Sequence, residues 1–300
     1  MIQPFHIPVM PEESIQGLKL FPGAHVVDAT YGGGGHSRLI LRELDNGRLY
    51  AFDQDEVAAG NLIHDERLIF IRHNFRYIRH FLRFFGVTQL DAVFADLGVS
   101  SHDFDVAERG FSFRFDGELD MRMNRQSLVR ASHIVNNHTE DRLIFIFKVY
   151  GEIKNAQRLV SEIIRERTLQ PIGTTSRLKE IASRCAPRAV ENKYLAQVFQ
   201  ALRIEVNDEM DALKEFLEAA LELLKPGGRL AVITYHSLED RICKNFLKSG
   251  NFEGKVEKDF FGNIQRPFRL VNRKVITPKP AELEKNVRAR SARLRIAEKI

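Results

Sequence analysis

The sequence predicts an α/β protein in which one parallel sheet is split by an all-helical insertion. Three observations carry this. Short apolar runs alternate with helical patterns up to Asp96, the alternation returns near Met210, and the stretch between has helical periodicity without convincing strands. Strands alternating with helices at this spacing build right-handed βαβ units. The expected division is 1–104 and 206–300 as two parts of the α/β domain, with 105–205 inserted.

In chain order, His25 to Asp28 reads as the first strand and leads through glycines into a helix around Ser37 to Leu41. Arg48 to Asp53 is the second strand, with a helix near Glu56 to Ile63. Leu68 to Ile71 is the third, followed by a helix over Tyr77 to Phe85, and Asp91 to Asp96 is the fourth. In the insertion, Ala156, Leu159, Val160, Ile163 and Ile164 share one helical face. Leu178, Ile181, Ala182 and Cys185 share another, behind a start at Thr174-Thr175. Met210, Leu213, Phe216, Leu217, Ala220, Leu221 and Leu224 make an amphipathic helix that Pro226-Gly227-Gly228 should terminate. Arg229 to Thr234 is the fifth strand, and Val256 to Phe260 with Leu270 to Ile276 should close the fold as a hairpin.

Composition excludes several classes. At 300 residues and 44% hydrophobic content the chain can bury a sizeable core, so wholesale disorder is excluded. No apolar run is long enough to span a membrane, and the first residues lack the basic and apolar regions of a signal peptide. Only Cys185 and Cys243 occur, so neither a disulfide framework nor a structural zinc site is expected, and the chain reads as cytoplasmic. The ten histidines include no HExxH pattern, and no catalytic metal is expected. Net charge is +5, with a basic excess from Arg266 to the end that suits either a polyanion or a solvated surface.

Asp28-Ala29-Thr30-Tyr31-Gly32-Gly33-Gly34-Gly35-His36 sits where the first strand turns into the first helix. Glycines there let backbone approach a ligand closely. Asp53 ends the second strand and Asp96 the fourth, so with Asp28 three acids are expected at one crevice, the usual ligand site of an open α/β sheet. The dinucleotide fingerprint G-x-G-x-x-G fails, ending on Ser37 or Arg38. An acid on the first strand would repel a pyrophosphate. A cationic ligand with an amino-acid end fits better, and S-adenosylmethionine is one. The step Leu224 to Leu230 (LKPGGRL) resembles the same junction in many S-adenosylmethionine-dependent methyltransferases.

Further motifs extend the resemblance along nearly the whole chain: His6 to Met10 (HIPVM), Asp28 to Arg38 (DATYGGGGHSR), Asp96 to Ser101 (DLGVSS), Glu108 to Phe113 (ERGFSF) and Leu119 to Met123 (LDMRM). Tyr150 to Glu152, Phe199 to Asn207 (FQALRIEVN), His236 to Arg241 (HSLEDR) and Arg288 to Glu298 (RARSARLRIAE) complete it. Together they resemble the bacterial 16S ribosomal RNA cytosine-N4 methyltransferase family. The resemblance implies a class I, Rossmann-like methyltransferase sheet with an inserted helical substrate domain. It implies S-adenosylmethionine as cofactor, and 16S rRNA in the small ribosomal subunit, near the decoding centre, as substrate; a homodimer stays open. Carried over position by position, Gly34, Gly35 and His36 match the loop around the methionine part, Asp53 the ribose-binding acid, and Phe75 the residue beside the adenine. Asp96 matches the acid near the methyl group. Asp103 stands where the family often has Gln, and Gly33 where it tends to have Arg.

An exocyclic amine is a poor nucleophile because its lone pair is delocalised into the ring. It needs an acceptor for an N–H as it attacks the methyl carbon, which Asp96 or the carbonyls of Asp96-Leu97-Gly98 could supply. Methylation at a ring carbon would instead need a cysteine nucleophile, and both cysteines lie on apolar faces. The target base must leave any stack. Arg109 and Phe111 are candidates to meet it, against packing of the phenylalanines inside the insertion. His236 and Arg241 are candidates for substrate contact, against helix capping and ion pairing. The rival readings are a small-molecule methyltransferase and a non-catalytic RNA-binding module on the same scaffold.

Overall fold

The computed structural model describes residues 8–99, 104–258 and 264–300. Contacts divide the chain into one unit of 1–98 with 210–300 and another of 99–209. The boundaries expected from sequence were 104/105 and 205/206; the last insertion helix runs on to Asn207.

The first unit opens with α1 (Pro11–Leu18), then β1 (His25–Asp28), α2 (Gly35–Glu43), β2 (Arg48–Phe52), the single turn α3 (Glu56–Ala59) and β3 (Leu68–Ile71). A short 3-10 turn at Phe75–Tyr77 precedes α4 (Ile78–Phe84), and β4 (Leu90–Asp96) follows. Parallel pairing of β1 with both β2 and β4 places Asp28 on a central strand, and the strands' apolar residues are buried as buried parallel strands require.

The insertion carries α5 (Ala131–Asn137), α6 (Glu140–Phe145), α7 (Ala156–Leu169), α8 (Thr175–Cys185) and α9 (Glu191–Asn207). Thr174 caps α8 by accepting the Arg177 N–H. Leu195, Val198, Phe199, Leu202 and Val206 on α9 recur at helical spacing and are buried in one core cluster with the apolar faces of α7 and α8. This unit also buries charge. The Asp120 carboxylate accepts from Arg122 Nε at 2.6 Å and Nη2 at 2.8 Å, and Arg122 Nη1 donates to the carbonyls of Arg125 and Ser127. Asp120→Ala would strand that guanidinium, so we expect a loss of about 3–5 kcal/mol in this unit's stability, measurable by urea unfolding.

The first unit resumes with α10 (Glu209–Leu223), β5 (Leu224–Thr234) and α11 (Ser237–Ser249). Pro226-Gly227-Gly228 does not simply stop the helix. It forms an irregularity inside β5, where Leu224 sits opposite Leu90 and Arg229 already opposite Ala92. Next come β6 (Glu257–Lys258), β7 (Ile264–Gln265), β8 (Phe268–Leu270), α12 (Pro280–Lys285) and β9 (Arg293–Lys299). The main sheet has seven strands in the order β3-β2-β1-β4-β5-β9-β8, with β9 antiparallel to both neighbours.

The expected hairpin of 256–260 with 270–276 is therefore corrected. β6 pairs with β7, while the strand ending at Leu270 pairs with β9; residues 259 and 260 lie outside the described residues. The last part of the basic end forms β9, where Arg293 and Arg295 pair with Asp240, and Arg269 on β8 pairs with Glu298. Among the described residues no helix is long and apolar enough to cross a membrane.

Candidate functional site

The carboxyl ends of β3, β2, β1, β4 and β5 lie side by side, and each delivers a polar or aromatic group to the same edge. The loop after β1 turns tightly because glycine allows it. Gly34 has φ +74° and its N–H donates to the Tyr31 carbonyl at 2.8 Å. A Cβ there would sit 2.7 Å from the Tyr31 hydroxyl. That hydroxyl is committed, donating to the Asn61 carbonyl at 2.9 Å and accepting the Ile63 N–H at 3.0 Å. Gly34→Ala should thus cost about 1–2 kcal/mol from its backbone conformation alone and displace Tyr31, a loss that a thermal unfolding series would read.

The three acids have different roles. Asp28 is fully buried and its carboxylate is spent inside the loop, accepting from Ser37 Oγ at 2.6 Å and from the Thr30 N–H at 3.1 Å. Burial raises its pKa, partly opposed by the Ser37 hydroxyl. It pins the loop to α2 instead of facing a ligand, which corrects the expectation of three acids in one crevice. Asp53 is half-buried, and each of its oxygens accepts one backbone N–H: Gly32 at 2.7 Å and Asp55 at 2.9 Å. Burial still lifts its pKa to about 6 against those two bonds.

Asp96 is held on three sides. Its N–H donates to Thr30 Oγ1 at 2.7 Å, and its Oδ1 accepts the Tyr235 hydroxyl at 2.7 Å. Its Oδ2 lies 3.7 Å from His36 Nδ1. Burial lowers the His36 pKa, against the pull of the Asp28 carboxylate, and His36 Nε2 is 2.9 Å from the Val9 carbonyl. A neutral imidazole donating to that carbonyl has its lone pair on Nδ1. Two acceptors then face each other, Nδ1 and a carboxylate oxygen. Such a gap fits an N–H or a cation. Tyr235 is the residue sequence reasoning missed, although its place directly after the fifth strand marks it. Burial and the adjoining Asp96 carboxylate push its phenol well above the ordinary range, so it stays a donor. The ring also lies over Gly98, where φ is +142° and a Cβ would come within 3.1 Å of it.

The remaining candidates divide. Gly35 opens α2 against Pro8. Phe75 stands in the turn after β3 with its ring 5.2 Å from that of Phe216, edge-on. Asp103 lies outside the described residues. Arg109 and Phe111 are interior to the helical unit, with 5% and 4% exposure and the guanidinium 5.6 Å over the Phe111 ring. Packing, not base contact, accounts for both. His236 caps α11: its Nδ1 accepts the Glu239 N–H, and Glu239 accepts the His236 N–H in return. Its Nδ1 is committed to that box, while Nε2 lies 3.0 Å from Glu239 Oε1. Arg241 is exposed on α11. Both cysteines are buried, and burial raises both thiols, which removes them as nucleophiles.

The residues at this edge fit S-adenosylmethionine. A half-buried carboxylate with lone pairs left beyond two N–H bonds suits ribose hydroxyls, and the acceptor pair of Asp96 and His36 suits a positive or N–H-bearing group. A Cβ at Gly32 would meet nothing within 4 Å, so the loop borders open space.

Residues 3–300 match the MraW methylase family. Ribosomal RNA small subunit methyltransferase H of Bacteroides thetaiotaomicron is 58% identical over 98% of this chain and 97% of its own. The same-named proteins of Flavobacterium johnsoniae and Christiangramia forsetii are 54% and 49% identical, covering 99% and 100% of this chain and 98% and 99% of theirs. A putative methyltransferase of Streptococcus mutans, solved in complex with SAH, is 15% identical with a TM-score of 0.44, over 98% of this chain and 100% of that one. With a family match across nearly its whole length and relatives above half identity, this chain belongs to the MraW methylase family.

Proposed function

We propose that this edge of the sheet transfers a methyl group from S-adenosylmethionine to the N4 amine of a cytidine in the 16S rRNA of the small ribosomal subunit, in the cytoplasm. Family membership and the name shared by the relatives support the reaction and the RNA. The observation that carries the mechanism is the Asp96 carboxylate, fixed by Tyr235 on one oxygen and turned toward His36 with the other.

S-adenosylmethionine supplies an electrophilic methyl on a sulfonium. Gly34, Gly35 and His36 form the loop that takes its methionine end, Asp53 accepts its ribose hydroxyls, and Phe75 borders its adenine. Asp96 Oδ2 accepts an N–H from the target amine, so that nitrogen density is freed as the C–N bond forms. One N–H proton leaves after transfer and passes to Asp96 Oδ2. Alignment supplies the rest, and positioning of this kind is worth on the order of 7–11 kcal/mol.

The test is methyl transfer from labelled S-adenosylmethionine to small subunits lacking the modification, with the product located by nuclease digestion and mass spectrometry. Label on the N4 of a single cytidine is expected. Intact cofactor binding with no label on the RNA would remove this reading.

A further inference from the structure

Helix α4, with Arg76 and Tyr77 just before it, carries a surface that the methyl-transfer site does not use. From Arg76 to Phe85 the chain has three arginines, one histidine, four aromatic residues and no acid. Ile78 and Leu82 are buried. Helical spacing then places Tyr77, His80 and Phe84 on one outward stripe, with Arg76, Arg79 and Arg83 beside it. Phe84 is 82% exposed, and Tyr77 and Phe85 about two-fifths exposed. The Tyr77 and His80 rings meet edge-on at 6.1 Å, and those of Phe84 and Phe85 at 5.3 Å.

A lone exposed phenylalanine needs no explanation. A row of exposed rings interleaved with guanidinium groups is different, because bases stack on the rings while phosphates meet the cations. Arg83 has no ion pair among the described residues. Arg76 and Arg79 pair with Glu215 and Glu222 on α10 at 2.7 and 2.8 Å. Surface pairs of this kind are worth about 1 kcal/mol or less, so a phosphate can displace them.

We propose that the outward face of α4 is an RNA-docking surface, which binds a phosphodiester segment with unstacked bases at a distance from the methylated cytidine. The inference rests on the rRNA substrate proposed above and adds to it a place of contact. Charge selects this occupant over a second copy of the chain, since two such faces would set arginines against arginines.

The experiment compares the full-length chain with Arg83→Glu, Phe84→Ala and the double variant, all at exposed positions outside the methyl-transfer site. Binding of a 16S rRNA transcript is measured across a salt series, alongside methylation of small subunits at increasing concentration and calorimetric S-adenosylmethionine binding. Expected results for Arg83→Glu are an RNA Kd weaker by about tenfold and a salt slope shallower by about one. KM for the subunit should rise while kcat and cofactor affinity hold, and Phe84→Ala should weaken RNA binding without changing the slope. RNA affinity and slope equal to wild type in the double variant would overturn the proposal. So would sedimentation showing that the variants break a dimer while RNA binding persists. A wild-type chain that binds the transcript through Arg83 yet methylates no cytidine would uphold the surface and remove the reaction.

Discussion

Asp96→Asn is expected to lower kcat by about 10²–10⁴-fold while S-adenosylmethionine affinity changes by less than about tenfold. The substitution is close to isosteric, and the surroundings accept it. The amide oxygen can still take the Tyr235 hydroxyl, and the amide nitrogen can donate to His36 Nδ1, so the packing of the edge survives. What is lost is the acceptor aimed at the incoming amine, together with its charge. Steady-state turnover on small subunits with parallel calorimetry separates the outcomes. An equal collapse of cofactor binding would make Asp96 an anchor and leave the proton to another group.

Asp53→Asn is expected to act on the other side of that division, weakening the cofactor and sparing kcat at saturation. Hydrogen bonds to a charged acceptor are worth about 1.5–3 kcal/mol each, so losing one or two places the loss near a hundredfold in Kd. The pH dependence gives a sharper readout. Burial sets the Asp53 pKa at about 6, above the ordinary value of 3.8. The ionised form accepts the ribose hydroxyls, so cofactor affinity should fall as pH drops through 6 and level off above 7. In Asp53→Asn that break should vanish. The sign for stability is opposite. A carboxyl whose pKa is raised by folding favours the folded state below that pKa, so at this residue the chain gains stability as pH falls from above 6 toward 4. Asp53→Asn should therefore remove this pH dependence from the stability of the cofactor-free protein, and a melting series at several pH values checks this. A mutant that binds the cofactor as tightly as wild type at pH 7.5 would detach Asp53 from the ribose.

Much of the sheet was readable because buried parallel strands are short apolar runs between glycines and helical faces. The strands at His25, Leu68 and Leu90 follow that rule. β9 is masked by charge, since Arg293 and Arg295 alternate with Leu294 and Ile296 in a run dense in arginine. The period of two was visible there, and the arginines turn out to be neutralised by Asp240. At the site, residue type and strand ends found Asp53 and Asp96. Periodicity cannot reveal which acid is turned inward, and Asp28 is satisfied by Ser37 on the next helix. The place of Tyr235 after β5 is legible but its partner Asp96 is not, and the role of the Val9 carbonyl exists only where the segment before α1 meets His36. His236 was a fair suspect that the capping box absorbed.

The most direct test is a single turnover with enzyme preloaded with S-adenosylmethionine and in excess over unmodified small subunits, wild type against Asp96→Asn. Wild type is expected to convert one cytidine per subunit to its N4-methyl form, and the variant, bound to the same cofactor, to do so more slowly by about a hundredfold or more. An unchanged rate in the variant, or a methyl group found on any other atom, would contradict that expectation.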